Sequence, residues 1–202
     1  AFEYCGTFTS VHIPNSVTSL SYSSFSNTDI DSLYWNAGQM KYSPFDAEGV
    51  SSLDVKYISF GDSISRIPTE FCGYMQRLTK VDFSEHVTTI GYGAFQGCKA
   101  LTSITLPETI TDIEERAFYS CSNLKEITLP ENITRINAYT FEDCTGLTKL
   151  PITANINRID KYAFSGCNQI SSLVIPEGVD TIGNCAFEYC GTFTSVHIPN
   201  SV

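Results

Sequence analysis

Cysteine and histidine carry the widest chemical repertoire in this chain, and their spacing decides what they can do. The 202 residues include eight cysteines and three histidines. Cys98, Cys121, Cys144, Cys167 and Cys190 recur at a step of 23 residues, and Cys5 falls at the same place in a similar local pattern. A zinc-type thiolate set needs pairs two to four residues apart, and no C-x-x-C is present. A disulfide between successive units needs Cα atoms within about 7 Å, which the sheet side of a stacked repeat permits more readily than the turn side. Cysteine is also among the most buried residue types and packs as a small hydrophobe. The expectation is a structural ladder of buried thiols at Cys5, Cys98, Cys121, Cys144, Cys167 and Cys190. Cys72 and Cys185 lie outside that column.

His12, His86 and His197 are too few and too scattered to converge on a reaction. His12 and His197 occupy the same position of one duplicated segment, at a site expected to point outward from a strand. No nucleophile elbow, phosphate loop or His-Glu zinc motif occurs. Asp112, Glu114, Glu115, Glu131, Glu142, Asp143 and Glu177 fall mostly between apolar columns and read as a solvated rim without a calcium-ligand loop. Asn132-Ile133-Thr134 is a glycosylation sequon, meaningful only in a eukaryotic secretory route. No cofactor or metal is implied, and the expectation is a protein that is not an enzyme.

Twenty-two acidic residues against 12 basic ones give a net charge of −10, which repels phosphate backbones and argues against a nucleic-acid partner. Hydrophobic residues make up 42% and charged residues 17%, enough apolar surface for a folded core. No apolar run approaches the ~20 residues of a membrane span. No signal peptide or lipidation motif is visible, so an export signal or anchor is expected either outside this stretch or not at all.

What positions these residues is a repeat. Phe95, Phe118, Phe141, Phe164 and Phe187 stand 23 residues apart, each three residues before a Cys. Columns led by Leu101, Ile104, Leu106, Ile110 and Ile113 follow the same step, giving A-F-x-x-C-x-x-L-T-x-I-x-L-P-E-x-I-T-x-I-x-x-x. One unit offers too little apolar surface to offset the entropy of ordering it, so units must stack and share a core. In Ser103-Ile104-Thr105-Leu106 the alternation predicts a short strand with Ile104 and Leu106 inward, ended by Pro107. Upstream the pattern wears: Cys72 takes the Phe column and Met75 the Cys column, one residue out of phase. The pattern breaks at about 36–52, which reads as an insertion in a single solenoid spanning 1–202. The predicted fold is short parallel β-strands and turns with little helix.

This unit resembles the BspA-like, or Treponema-type, leucine-rich repeat over nearly the whole chain. The late Asn of the general leucine-rich consensus is absent, and the Leu106-Pro107-Glu108-Thr109-Ile110 spacing marks the subclass. The resemblance implies a curved right-handed superhelix with a parallel sheet on one face. It also implies extracellular or cell-surface proteins of bacteria and some protozoa, engaged in adhesion.

Two surfaces are candidates for binding a protein or glycan. The first is the outward face of the predicted sheet: Lys80, Asp82, Ser103, Thr105, Glu126, Thr128, Lys149, Ser172, Val174, Ser195 and His197. The second is the insertion, whose Trp35, Tyr42 and Phe45 cluster where the repeat rule relaxes, as interface anchors do. Residues 1–17 and 186–202 are identical, and no capping repeat closes either end. That predicts a window of a longer array, with fibre or surface-layer formation by end-to-end stacking as the alternative to adhesion.

Overall fold

The computed structural model describes residues 2–21, 24–25, 27–40, 44–45, 54–191 and 193–202. It is a parallel β-solenoid of about eight turns, without helix among the described residues. One face carries β1 (Gly6–Ile13), β2 (Thr28–Trp35), β3 (Asp54–Phe60), β5 (Lys80–Asp82), β7 (Ser103–Thr105), β9 (Glu126–Thr128), β12 (Ser172–Val174) and β14 (Ser195–His197). A second face carries two-residue strands: β4 (Arg66–Ile67), β6 (Thr89–Ile90), β8 (Asp112–Ile113), β10 (Arg135–Ile136), β11 (Arg158–Ile159) and β13 (Thr181–Ile182). All pairings are parallel, as one right-to-left passage per turn requires, and run β1-β2-β3-β5, β7-β9 and β12-β14 on the first face.

Register follows the repeat: Arg66 pairs with Thr89 and Thr89 with Asp112, each one unit of 23 on. It departs from that step twice. Gly6 pairs with Thr28, a step of 22, and Asp29 with Asp54, a step of 25. These two turns together exceed two units by one residue, which is why the identical segments 1–17 and 186–202 are offset by one residue beyond a whole number of units. The longer step, from β2 to β3, spans the expected insertion at 36–52, of which 41–43 and 46–52 lie outside the described residues.

Three kinds of contact hold turn to turn. Inward apolar side chains form one continuous core from Ile13 to Cys190. Within it the rings of Phe95, Phe118, Phe141, Phe164 and Phe187 stack near-parallel, 5.4–5.6 Å between centroids. On the third face, tight turns pass backbone hydrogen bonds forward, as from Phe95 N to Ala117 O (2.8 Å) and Phe118 N to Thr140 O (3.0 Å). Polar side chains stitch backward: Asn123, Asn132, Asn137 and Asn155 each donate to the carbonyl 24 residues earlier. Asn132 and Asn155 share one column of the repeat, while Asn123 and Asn137 stand in two others.

The phase slip before the regular units has a physical cause. Cys72 N donates to Ala94 O as Phe95 N does to Ala117 O, so Cys72 occupies the Phe position of the backbone. Phe71 sits where Ala94 and Ala117 sit, and is fully buried. Large and small side chains have exchanged places, and a volume-conserving exchange is what a close-packed core tolerates.

Candidate functional site

From Cys98 onward the cysteine column lies in the core. Cys98, Cys121, Cys144, Cys167 and Cys190 are buried, and none is in a disulfide. Each thiol donates to a carbonyl of the preceding turn at 3.0–3.1 Å: Cys121 to Phe95 O, Cys144 to Phe118 O, Cys167 to Phe141 O, Cys190 to Phe164 O, and Cys98 to Cys72 O. Burial pushes the Cys121 thiol up to about 12 and that of Cys190 to about 11, with Cys144 and Cys167 also raised by burial. Thiols held in that state are poor nucleophiles and poor metal ligands. Cys5 departs from the expectation: it is exposed. Cys72 joins the buried set instead.

The outward sheet face is where exposed side chains gather. Lys80, Ser103, Thr105, Glu126, Thr128, Ser172, Val174, Ser195 and His197 all lie exposed on strands of the first face, and Asp82 is half-buried among them. Lys149 is exposed but belongs to no strand. Pro151, in the position of Thr105 and Thr128, has no N–H to donate, and the ladder is interrupted between β9 and β12.

The insertion aromatics do not form a surface. Trp35 is 1% exposed and Phe45 7%, packed on each other at 5.8 Å and on Phe71 at 4.8 and 5.1 Å. They fill the core of the divergent turns in place of the Phe column, so they are not available as anchors. Tyr42 lies outside the described residues.

Longer strands at the N-terminal end extend the outward face in a way the sequence reading missed. His12 aligns with Tyr34, Tyr34 with Ser59, and Ser59 with Asp82; Ser32 aligns with Tyr57 and Tyr57 with Lys80. The His12 and Tyr34 rings stack at 4.2 Å and 6°, and Tyr57 meets Tyr34 edge-on at 5.8 Å. The Tyr57 hydroxyl donates to Asp82 Oδ2 (2.7 Å), and Lys80 reaches the same carboxylate (3.1 Å) while lying over the Tyr57 ring. The hydrogen bond from Tyr57 holds the Asp82 carboxyl below its ordinary range, and the same bond raises the Tyr57 phenol. At the strand starts, Lys56 pairs with Asp31 (2.6 Å) and Arg77 approaches Asp29 and Asp31. An open groove of about 420 Å³ borders the patch, lined by His12, Tyr34, Asn36, Ser59, Gly61 and Asp62 among others. The signal was present in the chain: Ile30-x-x-Leu33-x-Trp35 and Val55-x-x-Ile58-x-Phe60 repeat the spacing of Leu101-x-x-Ile104-x-Leu106.

No group of three or more metal-ligating side chains assembles among the described residues. Among the described residues no helix is long and apolar enough to cross a membrane.

A parallel solenoid with inward Leu, Ile, Phe and Cys columns and short outward strands is a leucine-rich-repeat architecture. Residues 1–101, 50–171 and 89–202 match the BspA-type leucine-rich repeat region, a model of six copies, and the chain belongs to that family. Among solved structures it is similar to a leucine-rich cell surface protein from Faecalibacterium prausnitzii A2-165, at 24% identity and a TM-score of 0.68, over 96% of this chain and 49% of that one. It is also similar to leucine-rich repeat proteins from Bacteroides ovatus (17% identity, 96% of this chain, 73% of that one, TM-score 0.50) and T. pallidum (19%, 80% and 77%, TM-score 0.50). At these identities the likeness is one of fold. The chain spans about half the length of the Faecalibacterium protein. No curated protein matches it in sequence.

Proposed function

We propose that this chain is a non-enzymatic binding module, displayed on or outside a cell, that adheres to protein or glycan through the outward face of its first sheet. The observation that carries the reading is the His12–Tyr34–Tyr57 cluster, three aromatic side chains on outward strand positions of a rigid scaffold. Tyrosine supplies contact area at small entropic cost and is enriched in recognition surfaces. Rigid sheets position such contacts well. The family and the cell-surface neighbour support the location. The protonated thiol column and scattered histidines support the non-catalytic part.

The test is adhesion of the purified protein to matrix-coated surfaces and to whole cells. A Tyr34→Ala/Tyr57→Ala variant should lose binding, while Arg116→Ala on the third face should keep it. Loss in Arg116→Ala with retention in the tyrosine variant would overturn the assignment of the face.

A second reading is end-to-end self-association. Val196, Ile198 and Val202 are 55%, 53% and 49% exposed, whereas the identical Val11, Ile13 and Val17 are covered in part or wholly by the turn of β2. A further turn laid on that edge would cover them, as heterologous contacts do in open filaments. Sedimentation analysis at increasing concentration tests it: growing linear species support it, and a constant monomer overturns it.

A further inference from the structure

We infer that the ligand of the His12–Tyr34–Tyr57 patch is a neutral saccharide, an inference that rests on the binding reading above and names its ligand class. Charge along the strand rows is already balanced, and the exposed Asp62 carboxylate at the groove rim faces His86 at 3.6 Å. Asp29, Asp31 and Asp82 face Lys56, Arg77 and Lys80, and all six are engaged with one another at 2.6–3.7 Å. In a chain of net charge −10 that local neutrality stands out. An acidic or basic ligand would have to break these pairs to gain its own. A neutral, hydroxyl-rich one can bond to them as they stand, because carboxylates, ammonium and guanidinium groups keep spare hydrogen-bonding capacity when paired.

The backbone argues against a peptide. Extended peptides gain most of their affinity by adding a strand to a free sheet edge. Under the patch, β2 and β3 are hydrogen-bonded on both sides, to β1 and β3 and to β2 and β5. Among the described residues the unpaired side belongs to β1, which carries His12; at Tyr34 and Tyr57 only side chains are offered.

Shape and chemistry fit a sugar chain. The groove beside Tyr34 is open rather than enclosed, so it suits a ligand laid along the surface and not a small molecule that must be buried. Tyr34 is 37% exposed with one face covered by the stacked His12 ring, so its ring edge and hydroxyl are what a pyranose would meet. Ser59, Asn36 and Asp62 border the same groove and supply acceptors and donors for ring hydroxyls. The groove floor holds its shape: a Cβ at Gly61 would come within 2.5 Å of Asn36 Oδ1, which is itself fixed by the Ser63 N–H at 2.9 Å.

The experiment uses the whole chain against an array of neutral oligosaccharides of glucose, galactose, mannose and N-acetylglucosamine, with sialylated and sulfated counterparts. Hits are followed by titration calorimetry at about 0.05 and 0.5 M salt. We expect a neutral oligosaccharide to bind with less than about a twofold change in affinity across that range, since no net charge is neutralised. Tyr34→Ala should weaken binding by about tenfold or more, and Tyr57→Phe, which keeps the ring but releases Asp82, by less. Circular dichroism confirms that the variants fold. Binding confined to acidic glycans and lost in salt would overturn the inference, as would silence across the array. If the array is silent yet Tyr34→Ala/Tyr57→Ala still abolishes adhesion to cells or matrix, the saccharide fails and the binding face stands. If neither binds, both fail.

Discussion

The Cys121 thiol donates to the carbonyl oxygen of Phe95 at 3.1 Å, and that same oxygen accepts the N–H of Cys98 in its own turn at 3.2 Å. One carbonyl thus closes a tight turn and ties it to the next. The relationship recurs at Cys144, Cys167 and Cys190. Cysteine suits the position because it is small, apolar enough for full burial and still able to donate.

Substituting Cys121→Ala should lower stability by about 1–2 kcal/mol, from a small cavity and a lost weak hydrogen bond. Urea unfolding measures it. Thiol titration gives an independent check near pH 8, where a thiol pushed up to about 12 holds almost no thiolate. Native protein should expose Cys5 and Cys185 to reagent and withhold the six buried cysteines until unfolding releases all eight. Rapid native labelling of Cys121 or Cys144 would refute the staple.

Two columns of left-handed backbone run along the third face. One holds Glu70, Gly93, Arg116, Tyr139, Tyr162 and Cys185; the other Tyr74, Gly97, Ser120, Asp143, Gly166 and Tyr189. A non-glycine residue there costs roughly 1–2 kcal/mol. Ser120→Gly should therefore stabilise the protein by up to about 1 kcal/mol, since the backbone bonds of Ser120 are kept. Gly97→Ala should destabilise by about 1–3 kcal/mol, because its Cβ would lie 2.6 Å from the Tyr74 ring. Thermal unfolding of both variants decides, and a destabilised Ser120→Gly would sink the argument.

These columns were invisible in the chain because Glu, Arg, Tyr, Ser, Asp and Cys share no signature for left-handed backbone; the stacked turns impose it. By contrast the inward columns from Leu101 onward were legible, since apolar periodicity reports burial directly. The face was legible from Lys80 onward and lost before it. Trp35 and Phe45 look like interface anchors by residue type, yet Trp35 ends β2 at an inward position and Phe45 packs on it in the core. Tyr34 and Tyr57 emerge only once register is known, since a strand shows its outward residues only relative to its inward ones.

Glu114 accepts both terminal nitrogens of Arg66 at 2.6 Å, two turns away, together with the backbone N–H of Tyr92. The bond to Arg66 holds the Glu114 carboxyl below its ordinary 4.5. Its contribution is complete above about 4.5 and fades as pH falls through the lower folded value. Asp112 runs the other way: burial, helped by Glu114, raises its carboxyl, so its ionised form opposes folding at neutral pH and the penalty fades on acidification. At pH 7, Glu114→Gln should cost up to about 1 kcal/mol and Asp112→Asn should be neutral or gain a few tenths, both groups being partly exposed. The Glu114→Gln deficit should shrink in unfolding curves taken towards pH 4 and below; a deficit that stays constant would show the ion pair contributes nothing.

Pro151 is the strongest local conflict with the repeat. In neighbouring units proline follows the strand, as Pro107, Pro130 and Pro176, but here it stands two positions early and Thr153 occupies the usual place. The early proline removes a donor from the first-face ladder, and Thr153 Oγ1 is left buried without a partner among the described residues. Restoring the consensus by Pro151→Thr/Thr153→Pro should join β9 to β12 through a strand at 149–151 and remove the orphaned hydroxyl. The expected gain is about 1–2 kcal/mol, from one or two ladder bonds and one relieved polar group. Amide exchange at Lys149, Leu150 and Ser172–Val174 should slow by about tenfold, because opening that segment would break pairs that the native chain lacks. If stability rises without slower exchange at those amides, the gain comes from the unfolded chain and not from the ladder. If stability falls, the interruption is something the surrounding turns have packed around, and the break at Pro151 is a feature the fold requires.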